Sequence, residues 1–487
     1  MLDQILVLNF SAPHAASIAA RLRAEKIYCR ILPGSTPAEQ LAEQQALGII
    51  LAGGIAGDTA QALDGRLLRT GMPVLALGDA AAAVGLLMGA QAGERQAINE
   101  VATLTLLPSR ITGEGGKAER YMGAVSPLTL TEDLQPMAMR GEDVVGFSHR
   151  AHHIYALQSQ LESNDPDMMN LLLRFAQDVC GATRWWGAEA FIASAKADIL
   201  AAAGDGRALC VMSGGLDTGV AALLAHRALG SRLQCLFVDT GLLRENEAEN
   251  FAAYYRGAGL NLMTVQAGER FFAGLRGKFT AQEKADAIRA AAQEVLREAV
   301  EGMEFSLVID AITADMLLGG APRPRPAYAD AAKASFSPLA ELFKDEIRMV
   351  GEALGLPQDI TRIQPFPWTG LALRVLGECT ADKTAVLRRA DAVFREEVQG
   401  AGLHKRLHKY FALLMPSRCE VGEGELVVAL RAVSSSHQGA DTRAVPARLP
   451  YDLLERYTER VLGMDRRVTR VVYDLTPAAN PQQAEWT

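Results

Sequence analysis

A short apolar run, Ala208-Leu-Cys-Val-Met212, leads straight into Ser213-Gly214-Gly215-Leu216-Asp217-Thr218, and a helix-patterned stretch follows from Val220 to Ala228. The run reads as a buried strand. Strand, Ser/Gly turn and helix in that order aim backbone N–H groups and a helix N-terminus at one point, which suits a phosphate or pyrophosphate. The turn lacks the Lys of a Walker A motif, so the usual P-loop arrangement does not apply. A Ser/Gly strand–helix turn that holds no ligand is the alternative.

Around this turn the chain has 487 residues, enough for two to four domains. A net charge of −8 argues against a general nucleic-acid binder, although a local basic pocket could still hold a nucleotide. The opening Met-Leu-Asp-Gln-Ile-Leu-Val-Leu carries an acid where a signal peptide would carry positive charge, and reads as a first core strand. No apolar run is long enough to span a bilayer. The six Cys (29, 180, 210, 235, 379 and 419) show neither CxxC pairs nor zinc spacing, so reduced thiols in a cytoplasmic protein are expected. His149, His152 and His153 cluster without further ligands at metal spacing and read as a solvated loop.

Three regions follow one another. Residues 1–185 alternate strands (Ile5–Phe10, Gly48–Ala52, Pro73–Leu77) with helices (Ala15–Glu25, and Pro37–Gln45 with Thr36 as N-cap), which indicates an open α/β sheet. Residues 186–360 form a second α/β unit with strands near 208–212, 233–238 and 306–310. Residues 361–487 read as α+β, with helices at Lys383–Val398 and Tyr451–Val461 and strands at Leu426–Val433 and Val468–Asp474.

The Ser213–Thr218 turn resembles the SGGxD(S/T) loop of ATP pyrophosphatases. Further stretches extend the likeness: Gly48-Ile-Ile-Leu-Ala-Gly-Gly54, Phe237-Val-Asp-Thr-Gly-Leu-Leu-Arg244, Glu341-Leu-Phe-Lys-Asp-Glu346, Leu373-Arg-Val-Leu-Gly-Glu378, Leu387-Arg-Arg-Ala-Asp391, Leu430-Arg-Ala-Val433, Leu449-Pro-Tyr-Asp-Leu-Leu454 and Arg470-Val-Val-Tyr-Asp474. In order and spacing they resemble the GMP synthase family nearly end to end. The resemblance implies a multi-domain α/β protein: two open, mostly parallel sheets, amidotransferase-like (1–185) and adenine-nucleotide α-hydrolase-like (186–360), then a smaller α+β dimerisation domain (361–487). It also implies ATP and Mg²⁺ as cofactors, with Ser213, Gly214, Gly215, Leu216, Asp217, Thr218, Val238, Asp239 and Arg244 at the nucleotide. Ser213 and Asp217 are the expected catalytic residues, and Asp217 the metal ligand.

Two sites depart from the family pattern. The glutaminase turn reads Pro73-Val-Leu-Ala-Leu-Gly-Asp-Ala80, which puts Gly78 where the nucleophilic Cys belongs. The later His-Pro-Glu is replaced by Gln160-Leu161-Glu162, and no Cys lies between 30 and 179. Thiol acyl transfer needs both nucleophile and base, so the amidotransferase-like domain is expected to be inactive. The acceptor loop reads Pro367-Trp368-Thr369-Gly370-Leu371, and the tail keeps Glu485 and Trp486 but loses its nucleotide-binding Lys. A lid segment is rewritten around Arg323 and Arg325.

Trp368, Thr369, Gly370 and Glu485 therefore mark an altered acceptor pocket. The expectation is a GMP synthase-like protein that binds ATP, with XMP binding weakened, in a regulatory or degenerate role. It would be a homodimer, with a true GMP synthase or another protein as a possible partner, and with no nucleic acid or membrane. The alternatives are an ammonia-dependent GMP synthase and an adenylating ligase for a different acceptor.

Overall fold

The computed structural model describes residues 3–53, 62–159, 166–319, 332–361, 364, 366–416, 425–438 and 441–477. The chain divides into two compact units. One comprises Met1–Ser194, Thr313–Ala321 and Ala340–Glu346, and the other Ala195–Ile312, Pro322–Leu339 and Ile347–Thr487.

The first unit is built on a nine-stranded sheet. From edge to edge its strands are Cys29–Pro33, Ile5–Asn9, Gly48–Ala52, Val74–Leu77, Ile154–Leu157, Asp143–His149, Leu134–Arg140, Gln96–Leu106 and Gly116–Val125. The first five run parallel, and the remainder pair antiparallel. The mostly parallel sheet read from the sequence thus holds for one half only. Ile49, Ile50, Leu51, Val74 and Leu75 are fully buried, because helices cover parallel strands on both faces and their sequences become continuous apolar runs. Gln96–Leu106 exposes most of its residues, so no such run announced it.

Two local expectations change. Thr36 does not cap the second helix. Its hydroxyl donates to the Pro33 carbonyl (2.7 Å), while Asp64 accepts from the Ala38 N–H (3.0 Å) at the start of Ala38–Glu43. The first unit also extends past 185 and takes in residues 340–346. Buried Arg23 fastens them, donating to the Cys29 and Glu341 carbonyls and to Glu346 Oε2 at 2.9 Å.

The second unit holds an all-parallel sheet in the order Leu262–Gln266, Leu233–Asp239, Ala208–Met212, Phe305–Ile309, Ala332–Phe336. The strand order reverses at Ala208–Met212, so the loop after that strand lies at the switch point where open α/β sheets bind ligands. A second sheet pairs Lys409–Pro416, Leu426–Gln438 and Asp441–Pro446 antiparallel, with Val468–Tyr473 parallel to Leu426–Gln438. One apolar cluster joins Leu242, Phe271, Ile288 and Val295 to Leu371, Phe394, Tyr457 and Val468. This shared core makes one compact unit of the regions that the sequence divides at 360/361. Among the described residues no helix is long and apolar enough to cross a membrane.

Candidate functional site

The helix after Ala208–Met212 spans Leu216–Leu229 and so begins four residues before the expected Val220. Gly215 is its N-cap in extended conformation, and Gly214 has φ +87°, a region open to glycine. Thr218 Oγ1 accepts from the Ser213 N–H (3.1 Å) and donates to the Gly215 carbonyl (3.2 Å), which closes the turn on itself. The Gly215 N–H makes only a long contact to Ser213 Oγ (3.4 Å). Ser213 and Gly215 are exposed, Gly214, Asp217 and Thr218 are half-buried, and Leu216 points into the core. The turn is therefore preformed and open to solvent on its donor side.

The neighbouring strand Leu233–Asp239 ends in a second shaped turn. Asp239 Oδ1 accepts from the Gly241 N–H (2.9 Å) and Thr240 Oγ1 from the Leu242 N–H (3.2 Å). Arg388 clamps this turn from the helix Ala381–Gly400, donating to the Leu243 carbonyl at 2.8 Å and the Gly241 carbonyl at 2.5 Å. Gly370 closes it from below, since a Cβ at Gly370 would lie 2.4 Å from the Leu242 carbonyl oxygen. The clamped turn delivers Arg244 to a cavity of about 400 Å³ that Gly214, Asn250, Phe251, Asp391 and Arg395 also line.

Arg244 is 8% exposed, and its guanidinium carbon sits 4.2 Å from the Phe366 ring centre. Burial, together with nearby Arg395, pushes its pKa down to about 10. None of its three side-chain nitrogens makes a hydrogen bond, and its ion-pair contact, to Glu247, is 3.8 Å long. Asp391 Oδ1 accepts from the Ala412 N–H (3.0 Å), but the buried Oδ2 has no hydrogen-bond partner.

In the first unit the strand Val74–Leu77 turns through Gly78 into the helix Asp79–Leu87. Gly78 has φ 65° and ψ −138°, and its N–H donates to the carbonyls of Leu157 (3.0 Å) and Ser159 (3.1 Å). Asp79 pairs with Arg95 at 3.1 Å. The described thiols of this unit, Cys29 and Cys180, lie at the other end of the sheet. Cys29 is in register with Ile5 and so with Gly48, and Cys180 Sγ packs on Gly48, whereas Leu77 pairs with Ala52. Four strand residues separate the two ends, about 13 Å. Burial pushes the thiol of Cys29 up to about 11 and that of Cys180 up to about 12, the reverse of an activated nucleophile.

Residues 396–486 match the family described as GMP synthase C terminal domain. The glutamine-hydrolyzing GMP synthase of Heliobacterium modesticaldum is 33% identical over 540 residues, covering 99% of each chain. The chain belongs to the GMP synthase family. Glutamine-hydrolyzing GMP synthases of Carboxydothermus hydrogenoformans (33% over 531 residues, all of both chains) and Aquifex aeolicus (33% over 510 residues, 99% of both) match it similarly.

Of the positions that the GMP synthase likeness singled out, Gly214 and Arg244 line the cavity. Val238 and Asp239 end the adjoining strand, half-buried. Gly370 abuts Leu242, and Trp368, Thr369 and Gly370 are not among the cavity's lining residues. The Trp368 indole is 60% exposed and lies 5.4 Å from the guanidinium of Arg289, and Thr369 is buried. Gln160, Glu162, Glu485, Trp486, Arg323 and Arg325 fall outside the described residues.

The sequence reading missed Asn250, Phe251, Asp391 and Arg395 as lining residues. Asp391 carried a signal: it shares the buried stripe of its helix with Leu387, Phe394 and Val398, where an acid is out of place. The reading also missed His14, whose Nδ1 is buried without a hydrogen-bond partner beside Gly53, near the end of the strand Gly48–Ala52.

Proposed function

We propose that this member of the GMP synthase family binds Mg-ATP at Ser213–Thr218, does not hydrolyse glutamine, and has an altered acceptor site, acting as a degenerate or regulatory homodimeric member. The observation that carries the reading is Gly78. The sharp backbone turn of a nucleophile elbow is present there, but no side chain can attack an amide, and the described thiols of that unit lie at the opposite end of the sheet. The residues of the second unit fit a nucleotide. The Ser213, Gly214, Gly215 and Thr218 groups would hold the pyrophosphate portion, and Val238 and Asp239 the adenosine side.

Asp217, in the first turn of its helix, would hold Mg²⁺, an ion that commonly binds through one or two carboxylates plus substrate phosphates. Bound ATP supplies an adenylyl group that activates an acceptor oxygen for attack by ammonia. Around it, this chain's residues orient the phosphates and set what acceptor can approach. Trp368 and Thr369 in place of smaller residues, with the changed tail at Glu485, support weakened XMP binding. A second reading, an ammonia-dependent synthase, is favoured by the presence of a cavity beside Gly214.

Pyrophosphate release from Mg-ATP, measured with and without XMP and ammonium, separates the two. ATP binding without release supports the first reading. XMP-dependent release supports the second and overturns the regulatory role. Ammonia production from glutamine by the purified chain would refute the inactive amidotransferase-like domain.

A further inference from the structure

Among the described buried arginines, Arg23 donates to two carbonyls and a carboxylate, and Arg431 pairs with Asp474 through one of its nitrogens. Arg244 breaks the pattern. It is as buried as these yet makes no side-chain hydrogen bond, and it contributes to the lining of one cavity together with Asp391, whose Oδ2 likewise has no hydrogen-bond partner. These polar atoms are themselves shielded from solvent, so a ligand engages them by turning the two side chains toward the cavity. A buried charged group without hydrogen bonds is costly to a native fold, and a ligand entering the adjoining cavity is one way that cost is offset. The clamps on the 241–244 turn by Arg388 and Leu371 hold the arrangement rigid before any ligand arrives.

We propose that the cavity beside Gly214 seats a small molecule that places one oxyanion, a carboxylate or a phosphate, on Arg244 and a hydrogen-bond donor on Asp391 Oδ2. A guanidinium offers a planar fork of donors that matches either oxyanion in a bidentate fashion. Asp391 accepts only, so the same ligand must bring an N–H or O–H. Glu245, Glu247 and Glu396 also line the cavity, and acids outnumber the two arginines there. A free polyphosphate is therefore disfavoured, whereas a ligand with a single oxyanion and a donor is matched. Phe251, Ile360 and Ala392 supply apolar wall for its body. That this ligand is the acceptor partner of the nucleotide rests on the reading of Ser213–Thr218 given above, but the anion site itself does not.

The test is calorimetric titration of the full chain, without ATP, using three probes. Inorganic phosphate presents an oxyanion alone, glycine a carboxylate with an ammonium donor, and XMP a phosphate with ring N–H groups. At least one probe should bind, and Arg244→Gln should weaken it tenfold or more, with Arg244→Lys intermediate. Asn250→Asp, an exposed change that adds negative charge to the cavity wall, should weaken it several-fold, and it decides the matter if Arg244→Gln does not fold. Asp217→Ala should leave probe binding unchanged while removing ATP binding, which separates this inference from the nucleotide assignment. Absence of binding by all three probes would overturn the proposal. So would unaltered affinity in folded Arg244→Gln, or in Asn250→Asp.

Discussion

Two turns in this molecule share a backbone design and differ in what they offer. At Gly78 and at Gly214 a parallel strand ends, a glycine takes positive φ, and a helix begins within two residues. In the first unit the turn is spent on its own fold: the Gly78 N–H is shared between two carbonyls and Asp79 is tied to Arg95. In the second unit Thr218 closes the turn from behind, the Gly215 N–H is barely engaged, and Ser213 stands in solvent. On the proposed reading, the first turn persists as packing without its chemistry, because backbone geometry and a reactive side chain are separately dispensable.

The comparison breaks most decisively at Asp217. Asp217→Ala should lower Mg-ATP affinity or ATP-dependent pyrophosphate release by about 100-fold or more, as loss of a preorganised charged group at a phosphate site does. Calorimetry and a pyrophosphate assay both read this, and undiminished binding would show that the two turns are equally inert. Next comes Gly78→Cys. Restoring the thiol alone should give no glutamine hydrolysis above background, because the family's His-Pro-Glu base is replaced by Gln160-Leu161-Glu162. Its φ 65°, ψ −138° backbone should also make the substitution destabilising by about 1–3 kcal/mol in denaturant unfolding. Ammonia release by this variant would instead identify a working base, with His14 the first residue to remove.

How much of this was legible in the sequence follows from what each element buries. Ala208–Met212 and Gly48–Ala52 appear at the bounds read from their apolar runs, since a central parallel strand leaves no polar position to blur them. The antiparallel half of the nine-stranded sheet escaped notice because its outer strands face solvent. Helix Leu216–Leu229 starts early because the first turn's own donors and hydroxyls, rather than apolar spacing, define its beginning. Arg244 was visible only as part of a motif. The residues that give it meaning, Asp391 and Arg395, lie nearly 150 positions away on a helix that only the tertiary fold brings near.

A smaller effect sharpens the contrast within the second turn. A Cβ on Gly219 would lie 1.9 Å from the hydroxyl oxygen of Tyr255, a fully buried ring wedged against Phe251 and Tyr254, so Gly219→Ala should cost about 1–3 kcal/mol through overpacking. A Cβ on Gly214 meets nothing closer than 3.9 Å, so Gly214→Ala should cost only the backbone strain of positive φ, about 1–2 kcal/mol. A Gly219→Ala loss well below about 1 kcal/mol in urea unfolding would mean that the Tyr255 wedge can retreat.

The mildest test is pH. Burial and the adjoining Arg395 and Arg374 lower the Arg244 guanidinium to about 10, against the opposing pull of Asp391 and Glu247. The cationic form binds an oxyanion, and a bound oxyanion holds the proton more tightly than the empty cavity does. Affinity for XMP, the probe with no group of its own titrating near pH 10, should therefore be flat from pH 7 to 9 and fall as pH rises through 10. Arg244→Lys should break at lower pH, because a buried ammonium starts from a lower reference value and burial depresses it further. Arg244→Gln should show no such break. A wild-type profile flat to pH 11 would mean that the guanidinium keeps its proton as an ordinary arginine does, and only a profile and affinity unchanged in Arg244→Gln would move the recognition chemistry from this side chain to the backbone.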